Sequence, residues 1–255
     1  RSRNKAMAWL LGAGGMGFTA LMMSVQTVAA QATNLGLSFG AVPKLSEKYE
    51  QGNDEQLNYY VQVIRLWSII AAIFGLVFCV VASGLVNNVT FTWGDHTLHY
   101  AMLGVSVSMM AIAGGETAVL KATRRMGSLA RVQVYGVVGA VVLSVPLYYY
   151  WEQSGVVPAI VLISAFNMLL TVWRSYRYFP LRLAFTRRHL RDGFCMIKLG
   201  VSFMLAAAIG SGAEMAIRAF LNVEGGMVDV GFYNAAFMIS IAYAGMVFSS
   251  MESED

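Results

Sequence analysis

Long apolar runs separated by short polar stretches make up most of this chain. They cover residues 15–42, 66–85, 100–120, 132–150, 156–173, 198–222 and 230–251. Each approaches or exceeds the ~20 residues that carry a helix through the hydrocarbon of a bilayer. The pattern predicts an all-α fold, a polytopic membrane helix bundle with seven transmembrane helices. Pro43 is expected to end the first run, and Pro180 follows the fifth, where a missing donor and a ring clash do least harm. Residues 1–14 read as the tail of an earlier helix.

The polar residues inside these runs are few and patterned. In the first run Ser24, Thr27, Gln31, Asn34 and Ser38 recur at i, i+3, i+7, i+10 and i+14. At helical spacing they share an arc of about 80°. Such a stripe makes either interhelical hydrogen bonds or the wall of a hydrated cavity. Gln26 and Thr33 lie off it. In the sixth run Ser211, Glu214 and Arg218 fall within about 60° of one another, with the glutamate four residues before the arginine, the favourable order. A charge at bilayer depth costs about 2.5–3.5 kcal/mol on insertion scales, so this pair must face protein or water rather than lipid.

Composition agrees with a membrane chain: 57% of the 255 residues are hydrophobic and 13% charged, against about 25% charged in soluble domains. The +4 net charge would suggest nucleic acid in a soluble protein, but here its distribution speaks for topology and no nucleic-acid partner is expected. Lys44, Lys48 and Arg65 flank one loop, and Lys121, Arg124, Arg125 and Arg131 a second. Arg174, Arg177, Arg182, Arg187, Arg188, Arg191 and Lys198 crowd a third. The intervening loops, 84–99 and 148–155, have no basic residue, so the basic loops are assigned to the cytoplasm. Tyr148, Tyr149, Tyr150 and Trp151 are placed at the outer interface, with Trp173, Tyr176 and Tyr178 at the inner one. The basic stretch 176–198 is either a recognition patch for anionic lipid heads or pyrophosphate, or an amphipathic connector held at the surface.

Other chemistry is sparse. Cys79 and Cys195 lack metal spacing and read as packing residues. Asp95, His96 and His99 sit in an outer loop, short of three convergent ligands. Asn88-Val89-Thr90 matches the glycosylation sequon in that loop. Glu116, shortly before Lys121 and Arg124, is expected to balance charge at a mouth, with a proton carrier as the alternative. Gly136, Ala140 and Ser144, and likewise Ala208, Gly212 and Ala216, form small-xxx-small packing rows. No phosphate loop, HExxH motif, nucleophile elbow or carboxylate pair is found. No enzyme, catalytic residue, metal or cofactor is therefore expected.

The runs GGMGFTALMMSVQTVAAQATNLGLSFGAVPKLSE, GGETAVLKATRRMGSLARVQVYGVVGAVVLSVPLYYYW, GVVPAIVLISAFNMLLTVWRSYRYFP and VGFYNAAFMISIAYAGMVFSSME resemble bacterial polysaccharide flippases, the Wzx-type O-antigen translocases of the MATE-like superfamily. The resemblance implies a longer protein of two six-helix lobes, of which this chain is a fragment. Residues 1–175 would be the first lobe without its opening helix, 176–198 a basic cytoplasmic inter-lobe connector, and 199–255 the start of the second lobe. Gly17-Phe18 and Gly231-Phe232 would then occupy corresponding positions in the two lobes. The implied activity is flipping of undecaprenyl-pyrophosphate-linked oligosaccharide across the bacterial inner membrane by alternating access, for O-antigen or exopolysaccharide synthesis. Substrate would contact Thr27, Gln31, Asn34, Ser38, Glu214 and Arg218. Membrane lipids, a polysaccharide polymerase and chain-length proteins would be partners. The family usually has Gln at the position matching Glu116, so any role of Glu116 would be particular to this chain. A cation-coupled drug exporter of the same superfamily, and a polytopic membrane glycosyltransferase or polymerase, are the alternatives.

Overall fold

A computed structural model describes residues 2–34, 36–90, 97–180 and 186–252, with side chains placed for most of them. It is an all-α polytopic membrane bundle. The helices are α1 (Ser2–Thr33), α2 (Leu37–Glu50), α3 (Asp54–Thr90), α4 (Thr97–Ala122), α5 (Met126–Trp151), α6 (Val156–Tyr176), α7 (Arg187–Glu224) and α8 (Met227–Glu252), with one 3₁₀ turn at Glu152–Gly155. Among the described residues five helices are long and apolar enough to cross a membrane: α3 to α6, and α7 from Gly200 to Glu224. In hydrocarbon a helix keeps all backbone donors within itself, which is why apolar runs of this length fold this way.

The first predicted crossing is two helices rather than one. Asn34 closes α1 by donating its backbone N–H to the Ala30 carbonyl at 2.9 Å, and Leu37 restarts the chain from the Asn34 carbonyl. Between them Gly36 has φ 65°, the left-handed region that glycine enters without strain. Glycine is needed for space too, because a Cβ there would collide with the Gly200 backbone of α7. Pro43 does not end the run but lies inside α2, and residues 2–14 are continuous with α1. A proline forfeits one intrahelical bond, and α2 is held by its packing instead.

α3, α4, α5 and α6 form one group, α7 and α8 another, and α1 and α2 run between them, touching both. One core cluster joins Phe18, Met22 and Val25 of α1 to Tyr100, Leu103, Tyr148 and Ile160. A second, nearer the basic loops, joins Leu37, Ala41 and Leu45 of α2 to Leu57, Val61, Ile64, Val119 and Met196. Apolar residues left outside the bundle, such as Ile73, Val81, Val137 and Val142, suit a lipid environment.

Several local expectations change. Tyr148, expected in the outer belt, is buried, whereas Tyr149, Tyr150 and Trp151 are exposed. Cys195 is exposed and Cys79 buried. Asn88-Val89-Thr90 is the last turn of α3, not loop, because that helix runs on to Thr90. Asp95 and His96 lie outside the described residues, and His99 is in α4. The row at Gly136, Ala140 and Ser144 is buried, with Gly136 close against Asn167 of α6. The row at 208–216 is not packed, since Ala216 is exposed and a Cβ at Gly212 would meet nothing within 4 Å.

Candidate functional site

Small residues set where the two groups meet. A side chain at Gly17 would collide with the Met227 carbonyl and crowd Gly231 of α8, and one at Gly40 would strike the Met196 carbonyl of α7. Gly17 and Gly231, singled out as corresponding positions, therefore face each other across the α1–α8 crossing. Backbones this close at both ends leave room between them for only a small hollow.

That hollow is a cavity of about 150 Å³. α1 lines it with Met16, Thr19, Ala20, Met23, Ser24 and Thr27, α7 with Ser211, Glu214 and Arg218, and α8 with Asn234 and Met238. Arg218 is the buried cation here, 7% exposed. Its Nη1 donates to Ser24 Oγ at 2.9 Å and to Glu214 Oε2 at 3.2 Å, and its guanidinium lies 5.5 Å from the Phe237 ring centre. Its buried Nε has no hydrogen-bond partner. Ser24 can accept from Arg218 because its own proton goes to the Ala20 carbonyl, at 2.6 Å. The Glu214 side chain remains 44% exposed. The arrangement is a cation held from two sides, with donor capacity left over on a side chain that lines the hollow. It can take a small oxyanion.

Of the residues picked from sequence, Thr27, Glu214 and Arg218 come together at this cavity. Gln31 stands beside it, accepting a hydrogen bond from Ser211 at 2.7 Å. Asn34 lies beyond the end of α1, at the break, and does not line the cavity. The Ser38 side chain lies outside the described residues. Asn234 was missed. A lone amide inside an apolar run, as in GFYNAAF, is itself a functional signal in a membrane helix. Gln26, off the stripe, has a different use: its Nε2 donates to Ser106 at 3.0 Å and Ser164 at 3.1 Å, tying α1 to α4 and α6.

A second charged cluster lies within the first group. Glu116 does not balance Lys121 and Arg124 at a mouth. It pairs with Arg65 of α3, Nε to Oε1 at 2.7 Å, and both side chains are almost fully buried. Arg65 was counted among loop-flanking residues, but α3 begins eleven residues earlier, at Asp54. Nη2 reaches Oε2 at 3.3 Å and the Phe179 carbonyl at 2.8 Å, while Nη1 reaches the Pro180 carbonyl at 3.0 Å. Ser175 donates to the carboxylate, and the Tyr176 ring packs 4.4 Å from the guanidinium. The cluster fastens α3, α4, the end of α6 and the segment after it. A larger hollow of about 320 Å³ lies alongside, edged by Asp54, Asn58 and Gln62, of which Asp54 and Asn58 are exposed.

No family model matches the chain, and no curated protein matches it. Among solved structures, a multidrug resistance MATE family transporter of the MOP superfamily, in an inward-facing conformation, superposes with a TM-score of 0.71. The match covers 92% of this chain at 15% identity, and this chain spans 59% of that structure's length. At such low identity the likeness establishes the fold: a polytopic helix bundle of the MATE transporter type.

Proposed function

We propose that the protein to which this chain belongs moves an anionic, lipid-linked solute across a bacterial inner membrane. Undecaprenyl-pyrophosphate-linked oligosaccharide is the substrate that best fits both the sequence resemblance and the site. The observation that carries this reading is Arg218, a buried cation with an unpartnered Nε, facing a cavity lined by hydroxyls and the Asn234 amide. A diphosphate leaving water needs such donors to replace its hydration. The cavity is far too small for an oligosaccharide, so the helices meeting at Gly17 and Gly40 must part for the head to pass. Polysaccharide polymerase and chain-length proteins would work beside it.

A second reading, a cation-coupled exporter of small molecules, is supported by the structural neighbour, a multidrug resistance transporter. It predicts a carboxylate free to bind cations, and Glu214 is engaged by Arg218. The test is Arg218→Ala in the full-length protein at matched membrane levels. Loss of surface glycan with no change in efflux of cationic dyes is expected. Unchanged glycan export would overturn the flippase reading, and proton- or sodium-dependent dye efflux would favour the exporter.

A further inference from the structure

The first three turns of α7 divide into zones around the helix. At 100° per residue, with Arg187 at 0°, His189, Gly193, Met196 and Ile197 fall within about 180–280°. All four are buried. This inward side is fastened to α3. Tyr59 donates its hydroxyl to Asp192 at 2.9 Å, and Trp67 Nε1 donates to the His189 carbonyl at 3.4 Å. The His189 ring packs 4.5 Å from that of Tyr59, and Gly193 leaves the space that the Trp67 indole fills. The rotation of this stretch is therefore fixed.

What then faces outward is also fixed, and it is graded. Leu190 and Phe194, at about 300° and 340°, are 43% and 63% exposed. Next to them come Arg187, Lys198 and Arg191, at about 0°, 20° and 40°, all exposed. Among the described residues no carboxylate lies within ion-pair distance of these three. The acid on this stretch, Asp192, is turned to Tyr59 and lies 3.9 Å from Arg188. An apolar wedge bordered by cations, its third side pinned to protein, matches the boundary between acyl chains and anionic heads.

We propose that residues 187–198 form a docking face for anionic phospholipid headgroups, with Leu190 and Phe194 dipping toward the acyl chains and Arg187, Arg191 and Lys198 on the phosphates. Zwitterionic lipid has no net charge to complement three unopposed cations. An acidic protein would leave Phe194 in water or require its own apolar pocket. The proposal concerns the surrounding membrane and does not depend on what the cavity carries.

Cys195 supplies the reporter. It is exposed at about 80° on this wheel, beside the cationic edge, whereas Cys79 is buried. The full-length protein, labelled at Cys195 with a small fluorophore, is placed in nanodiscs containing brominated phosphatidylglycerol or brominated phosphatidylcholine. The anionic lipid should quench at a mole fraction about tenfold lower, and the preference should shrink in high salt. Arg187→Gln, Arg191→Gln and Lys198→Gln together should bring the two curves onto each other. Phe194→Ser should weaken quenching by both lipids, and Arg218→Ala should change neither. Equal quenching by both lipids in the wild type overturns the proposal, as does a preference that survives the triple substitution. Quenching by aqueous iodide but by neither lipid would put the face in water, as an acidic protein partner requires, and overturns it too.

Discussion

Among the described residues two buried arginines have glutamate partners, and they are arranged for opposite purposes. Arg65 commits Nε, Nη1 and Nη2 to the Glu116 carboxylate and the carbonyls of Phe179 and Pro180, while Glu116 also accepts from Ser175. Partners come from separate helices, and both side chains are enclosed. Arg218 instead pairs within its own helix, with a glutamate that remains partly exposed, and keeps an unpartnered Nε beside a cavity. An ion pair in a low-dielectric interior persists when its remaining hydrogen bonds are satisfied. The first pair meets that condition and acts as a clasp. The second leaves Nε unmet on a side chain that lines the hollow, and under the proposed function a ligand completes the pair.

The clasp should show the largest effect. Removing one partner of an enclosed pair strands the other charge, at a cost of about 3–5 kcal/mol. Glu116→Ala and Arg65→Ala should each lower the denaturation midpoint of the detergent-solubilised full-length protein by a correspondingly large amount. The double replacement Arg65→Met with Glu116→Leu should cost less than either single change, because no charge is left unpaired. Single variants as stable as the wild type would erase the distinction between the two pairs.

Arg218→Ala should behave the other way. Glu214 can turn to water when its partner goes, so the stability loss should fall well below that of Glu116→Ala. Hydrogen bonds to a charged group are worth about 1.5–3 kcal/mol, so affinity for a diphosphate-bearing lipid should drop by about 10- to 100-fold. Arg218→Lys keeps the charge but not the planar fork, and should fall between. Isothermal titration against a short-chain polyprenyl diphosphate reads both variants. A stability loss matching that of Glu116→Ala, with binding intact, would make Arg218 a second clasp.

How legible these two regions were in the sequence follows from how local their partners are. Glu214 and Arg218 are four residues apart, so helical spacing alone brings them together. The stripe on α1 placed Thr27 and Gln31 near them, because α1 holds its helical phase up to Thr33. The same argument failed at Asn34, where the chain restarts from a left-handed glycine. That break depends on Gly200, far along the sequence. Glu116 and Arg65 are 51 residues apart on different helices, and nothing local reveals the pairing. Lys121 and Arg124 were nearer in sequence, so they looked like its partners. The Tyr148 ring could be assigned to an outer belt from its neighbours, but its burial depends on the register of α5 against α1 and α6. Crossings are written in the apolar runs, whereas contacts between them depend on rotations and breaks that single-helix periodicity does not contain.

The smallest expected effects bear most directly on what the cavity holds. An i,i+4 pair with one exposed member contributes about 0.3–0.5 kcal/mol, so Glu214→Gln should leave the unfolding midpoint nearly unchanged. Its effect on binding has a sign that separates the two readings. If Arg218 receives an anion, Glu214 competes for Nη1, and removing its charge should tighten diphosphate binding by about twofold, the same small energy seen from the other side. Ser24→Ala should act oppositely and weaken binding by a similar amount, because Ser24 accepts from Nη1 without competing by charge and holds the guanidinium against α1. If Glu214 is itself the ligand, as cation export requires, Glu214→Gln abolishes cation binding, Ser24→Ala changes little, and diphosphate affinity does not rise. Opposite responses of Ser24 and Glu214 to the same diphosphate titration would mark Arg218 as the receiving group.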